Sequence, residues 1–123
     1  MKDPRKGADR LVELFNELVN KPMIPTPPDR NWKSWPHHFS DKQSLYVLWQ
    51  DKTDRANNTR AVYVGKGNLG VRVWNSFWSR PSWKYIQYLD SDDFLPRNDP
   101  NGWFIKLFER FCIYVLDPEE NKD

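Results

Sequence analysis

Leu45-Tyr46-Val47-Leu48-Trp49 and Ala61-Val62-Tyr63-Val64-Gly65-Lys66-Gly67 are the two stretches that decide how this chain folds. The first is an unbroken apolar run, short and rich in β-formers, so it reads as a strand. The second has the same composition over Ala61 to Val64 and is closed by Gly65-Lys66-Gly67. Asp51 to Arg60, between them, is polar and contains Asn57-Asn58, which suits a hairpin loop. The two runs therefore predict an antiparallel pair.

Working outward, Asn68 to Ser79 predicts a helix stopped by Pro81, with Val71, Trp74, Phe77 and Trp78 on one face and Arg72 and Ser76 pointing away from it. Trp83 to Leu89 alternates as a third strand, with Trp83, Tyr85, Gln87 and Leu89 on one face. Asp99-Pro100 predicts a helix start, Asp as cap and Pro at the first helical position. Trp103, Phe104, Leu107, Phe108, Phe111 and Cys112 form its expected core stripe, and Asp117-Pro118 closes it. Toward the N-terminus, Leu11, Leu14, Phe15, Leu18 and Val19 define an amphipathic helix over 8–20, ended by Lys21-Pro22. Pro22, Pro25, Pro27 and Pro28 then make a stiff extended strap. The expected fold is α/β of the α+β kind: a small three-stranded antiparallel sheet flanked by helices. An N-terminal helix and strap (1–43) precede a unit spanning 44–123, in one domain overall.

Composition sets the outer limits. The chain has 123 residues, 38% hydrophobic and 29% charged, which suits one folded domain. Seven Trp within a 15% aromatic content point first to a ring-built core. The net charge of +2 is too small to argue nucleic-acid binding by itself. The single cysteine, Cys112, excludes an internal disulfide, and His37 and His38 are too few for a zinc site. No run approaches a membrane span and the first ten residues lack a secretory core, so the expectation is a cytoplasmic protein with no membrane partner.

Five positions stand out in order: Tyr46 at the end of Ser44-Leu45-Tyr46, Tyr63 at the head of Tyr63-Val64-Gly65-Lys66, Arg72 on the polar side of the next predicted helix, Glu109 on the last helix, and Asn121 beyond Pro118. This ordered set resembles the GIY-YIG nuclease family. It is most similar to the N-terminal incision domain of the bacterial excision-repair nuclease, where Asn-Leu likewise precedes the Arg and the ending reads Glu-x3-Ile-x4-Pro-x2-Asn. Here that ending is Glu109, Ile113, Pro118 and Asn121. The resemblance covers residues 44–123 and leaves 1–43 unaccounted for. Three departures accompany it: Ser44 stands where the family has Gly, the hairpin loop is longer, and Ser76 stands where many members carry His or Tyr.

The resemblance implies a metal-dependent endonuclease acting on DNA, or on RNA. It implies Tyr46, Tyr63, Lys66, Arg72, Glu109 and Asn121 as catalytic residues, Glu109 being the ligand of Mg²⁺ or Mn²⁺. The residue types suit the task. A phosphodiester is anionic, so cleavage needs an activated water, neutralised charge and a stabilised leaving oxygen. One carboxylate suffices for Mg²⁺, which completes its shell with water and phosphate oxygen. A phenol, with an ordinary pKa of about 10, serves as a base only with help from nearby cations. Lys66 and Arg72, with Arg80 and Lys84, are the expected substrate-binding cations. Oligomeric state stays open, between a homodimer and specificity supplied by a partner. Two rival readings remain: a binding module on the same fold without catalysis, and a Trp-rich surface for a protein partner.

Overall fold

The computed structural model describes residues 4–25, 43–50, 60–68, 83–90, 102–118 and 121. Its elements are α1 (Pro4–Val19), β1 (Ile24–Pro25), β2 (Gln43–Trp49), β3 (Ala61–Asn68), β4 (Tyr85–Asp90) and α2 (Trp103–Leu116). They form an α+β arrangement around one antiparallel sheet of order β1-β4-β2-β3.

The central strand β2 pairs with both long neighbours, setting Val47 against Val64 on one side and Gln87 on the other. Burial on both faces explains its unbroken apolar run, since Ser44 to Trp49 are all buried. Side chains alternate, so the sheet has two distinct faces. One carries Leu45, Val47, Trp49, Val64 and Leu89 against Leu11, Leu14 and Leu18 of α1 and Ile105, Phe108 and Cys112 of α2. The other gathers Tyr46, Leu48, Val62, Trp83 and Ile86, with Tyr63 and Tyr88 beside them. Phe15 and Phe111 lock the two helices edge to face, ring centroids 6.0 Å apart at 80°. Residues 8–19 therefore belong to the same core as the sheet.

The sequence expectations need several corrections. The sheet has four strands, not three, because Ile24–Pro25 pairs with Tyr85 and Ile86. Proline cannot donate to a ladder and so hides a strand in the sequence, but an edge position needs only one bonded side. Gly65-Lys66-Gly67 does not close β3. The strand runs through it to Asn68, which was expected to begin a helix. The last helix is described from Trp103, preceded by Gly102 in the left-handed conformation (φ 66°), and the start expected at Asp99-Pro100 lies outside the described residues. Trp83 falls on the face opposite Tyr85 and Leu89 because it precedes the strand proper. Ile105 takes the central core position on α2, while Trp103 and Leu107 face outward. The helix expected over Asn68 to Ser79 lies outside the described residues beyond Asn68, as does most of the strap. Among the described residues no helix is long and apolar enough to cross a membrane.

Gln87 joins the layers. Buried on β4, it accepts a hydrogen bond from Trp49 Nε1 (2.9 Å) and donates to the carbonyls of Val19 (3.0 Å) and Lys21 (2.6 Å). The last carbonyls of a helix have no intrahelical donors, and this amide supplies one to Val19, the last residue of α1, and another to Lys21 just beyond it. Gln87→Leu keeps the volume and strands all three partners. We expect a loss of about 2–4 kcal/mol, read as a lowered midpoint at unchanged slope in urea unfolding.

Candidate functional site on strand β3

Tyr46 and Tyr63 reach the same sheet face from adjacent strands, because Tyr46 lies opposite Gly65 and Leu48 opposite Tyr63. Their rings are 6.1 Å apart, tilted by 46°. Gly65 makes the arrangement possible. A Cβ there would lie 2.5 Å from both Cζ and Oη of Tyr46 and 2.7 Å from Cε1 of Tyr63. The phenol of Tyr46 thus occupies the space that a side chain on β3 would take, an aromatic laid over a glycine on an edge strand. Gly67 serves a different need, with φ at 137°, where L side chains rarely go.

Lys66, between these two glycines, points to the helix face, since its partner Leu45 belongs to that core. There its Nζ meets Glu109 Oε1 at 3.4 Å, with the two side chains 28% and 20% exposed. Glu109 owes its position to α2. It shares a helical row with Ile105, which is buried, and Ile113, which packs on the same core. An anion on that inner flank needs a cation, and β3 provides one. Pairing with Lys66 leaves most of the carboxylate's acceptor capacity available, since it has about four lone-pair sites. Among the described residues no three His, Cys, Asp or Glu side chains converge as an all-protein metal cage. A lone accessible carboxylate instead fits Mg²⁺, which binds through one or two such groups. Cys112, nearby, has its thiol pushed up to about 12, first by burial and then by the Glu109 charge, so it stays protonated and serves as core.

Asn121 holds the backbone between these pairs. Its Oδ1 accepts from the Val64 N–H at 2.7 Å and its Nδ2 donates to the Val64 carbonyl at 2.9 Å. On the sheet's edge strand these groups face away from β2, and the amide satisfies both as another strand would. The chain can return there because Asp117, with φ at 47°, ends α2 through a bond from its N–H to the Ile113 carbonyl.

The expected residues thus fall into three contacts on one short stretch. Tyr46 meets Tyr63 over Gly65, Glu109 meets Lys66, and Asn121 meets Val64. Tyr63 and Lys66 project to opposite faces, so the phenols and the ion pair flank the edge strand from its two sides. Lys84 is exposed and sits apart. Its N–H bonds the Trp49 carbonyl, at least roughly 13 Å of strand from the row of Lys66. Arg72 and Arg80 lie outside the described residues, as does Ser76.

Sequence reasoning overlooked two features. Ser44 is buried and donates to Asp90 Oδ1 at 2.7 Å, tying β2 to β4. Burial, and then the charge of Asp90, holds the Tyr88 phenol above its usual range. Gly65 was read as punctuation, whereas its role is to make room. The usable signal was a glycine opposite a tyrosine in the register that the two runs already imply. A scan against protein-family models gives no match, and no curated protein or solved structure matches the chain significantly, so the site is read from these residues alone.

Proposed function

We propose that this chain is a metal-dependent endonuclease that hydrolyses phosphodiester bonds in DNA, with RNA the alternative substrate. The observation supporting this reading is the convergence on Tyr63–Lys66. Side chains from positions 46, 109 and 121, far apart in sequence, all meet four consecutive residues of one edge strand. A phenol pair, a carboxylate with its cation and a clamped backbone are the parts a phosphodiesterase needs.

In this reading the scissile phosphate lies beside Gly65 and Lys66 of β3, within reach of both faces and clear of the Val64 edge that Asn121 fills. Glu109 would hold a Mg²⁺ or Mn²⁺ ion, which neutralises charge at phosphorus and on the leaving oxygen. Lys66 orients the Glu109 carboxylate and contributes a positive charge to the phosphate. Tyr63 takes the proton of the attacking water on its phenol oxygen while its own proton passes to solvent water. The new P–O bond forms, the bond to the leaving oxygen breaks, and water protonates that oxygen. Tyr46, buried beneath this surface, is a positioning residue that holds the Tyr63 ring in place. Asn121 is a positioning residue that fixes the strand carrying Tyr63 and Lys66. Arg72 supplies a second cation to the phosphate.

Supercoiled plasmid incubated with the purified chain tests the reading. Nicking in Mg²⁺, abolished by chelator and restored by excess Mg²⁺, is the expected result. Salt-sensitive binding in chelator with no product in Mg²⁺ would instead identify a binding module without catalysis.

A further inference from the structure

Trp103, Lys106, Leu107, Arg110 and Tyr114 recur at three- and four-residue intervals, so they line one side of α2. That side is turned from the core. Ile105, Phe108 and Cys112 are fully buried, whereas Trp103 is 68% exposed, Leu107 43% and Tyr114 87%. Lys106 and Arg110 are exposed between them. The first four residues of the stripe line an open hollow of ≈ 370 Å³. Core packing explains none of these outward rings.

Charge selects the occupant. The only acid of α2 is Glu109, and it is turned toward Lys66 of β3. The outer stripe therefore combines two aromatic rings and two cations without a carboxylate. Symmetric packing of two copies through this face would set Lys106 and Arg110 against their own counterparts, which opposes self-association. A polyanion carrying flat apolar rings matches both features, because exposed bases stack on aromatic side chains while cations track the phosphates. A duplex hides its bases in the stack; a single strand presents them.

We propose that the outer face of α2 is a docking platform for single-stranded nucleic acid, with bases stacked on Trp103 and Tyr114 and phosphates met by Lys106 and Arg110. The platform spans about 16 Å along the helix at 1.5 Å per residue. It rests on the nuclease reading and deepens it: α2 carries the metal-binding carboxylate on its inner flank and holds the strand on its outer one.

The test is fluorescence anisotropy of a labelled poly(dT) strand with the full chain, in chelator so that nothing is cut. Trp103→Ala and Tyr114→Ala are each expected to weaken binding about tenfold. Lys106→Gln and Arg110→Gln should each lower the slope of log affinity against log salt by about 0.7. All four side chains lie on the surface, and unchanged melting temperatures would show that the variants fold. Poly(dT) that fails to bind the unaltered chain at low salt, or that binds all four variants as it binds that chain, overturns the platform even where plasmid is cut. Expected losses in a chain that never cuts nucleic acid would support the platform and remove the nuclease reading. A dimer in sedimentation that Leu107→Lys dissolves, with poly(dT) binding intact, would make the stripe a self-association surface and overturn the proposal.

Discussion

Glu109→Gln is expected to lower Mg²⁺-dependent nicking by about 10²–10³-fold or more, with little change in stability. The substitution keeps shape and length and removes only the charge. Gln retains a carbonyl oxygen for Lys66, whose present contact with Glu109 is 3.4 Å between partly exposed groups. Such pairs are typically worth about 0–1 kcal/mol, so the melting temperature should barely move. A fold defect would show as a lowered melting temperature and a catalytic defect as a lost rate. Rescue of the variant rate by higher Mg²⁺ would further tie the loss to weakened metal affinity.

Gly65→Ala is expected to do comparable damage by another route. The backbone of Gly65 is not among the positive-φ positions, so the cost is one of contact. The new methyl would sit 2.5 Å from the phenol of Tyr46 and 2.7 Å from the ring of Tyr63. Tyr46 is 2% exposed and has little space into which to retreat. Overpacking of this kind costs about 1–3 kcal/mol, visible in urea unfolding. Displacing both phenols by about 1 Å should cost cleavage about a hundredfold. Tyr46→Leu in the same chain offers a control. It should relieve the crowding and recover stability, while leaving cleavage low because the phenol is gone.

The sequence made some parts of this molecule legible and hid others for identifiable reasons. β2 could be read because burial on both faces leaves a continuous apolar signal. The amphipathic helix near the N-terminus could be read because its exposed side is polar apart from Ala8 and Val12. β1 could not, since its proline suppresses every strand signal while an edge position tolerates it. The continuation of β3 through Gly65-Lys66-Gly67 was obscured because glycine marks turns more often than strands. On α2 the apolar residues come in adjacent pairs, Trp103-Phe104, Leu107-Phe108 and Phe111-Cys112, and so wrap most of the circumference. Periodicity then cannot select the inward half, which is why Trp103 and Leu107 were expected inside. Of the candidate site, residue types and order were visible at Tyr46, Tyr63, Lys66, Glu109 and Asn121. The clamp by Asn121 on Val64 and the overlay of Tyr46 on Gly65 depend on through-space register, which spacing along the chain does not specify.

Two pairs on opposite sides of one strand can act together only if a single phosphate engages both. A double-mutant cycle in the plasmid-nicking assay measures that coupling: Tyr63→Phe, Glu109→Gln and the two combined. Parts of one catalytic unit are strongly non-additive, so the double variant should cut no more slowly than the worse single one. Full multiplication of the two losses, or an undiminished rate in Tyr63→Phe, would contradict a shared centre on β3.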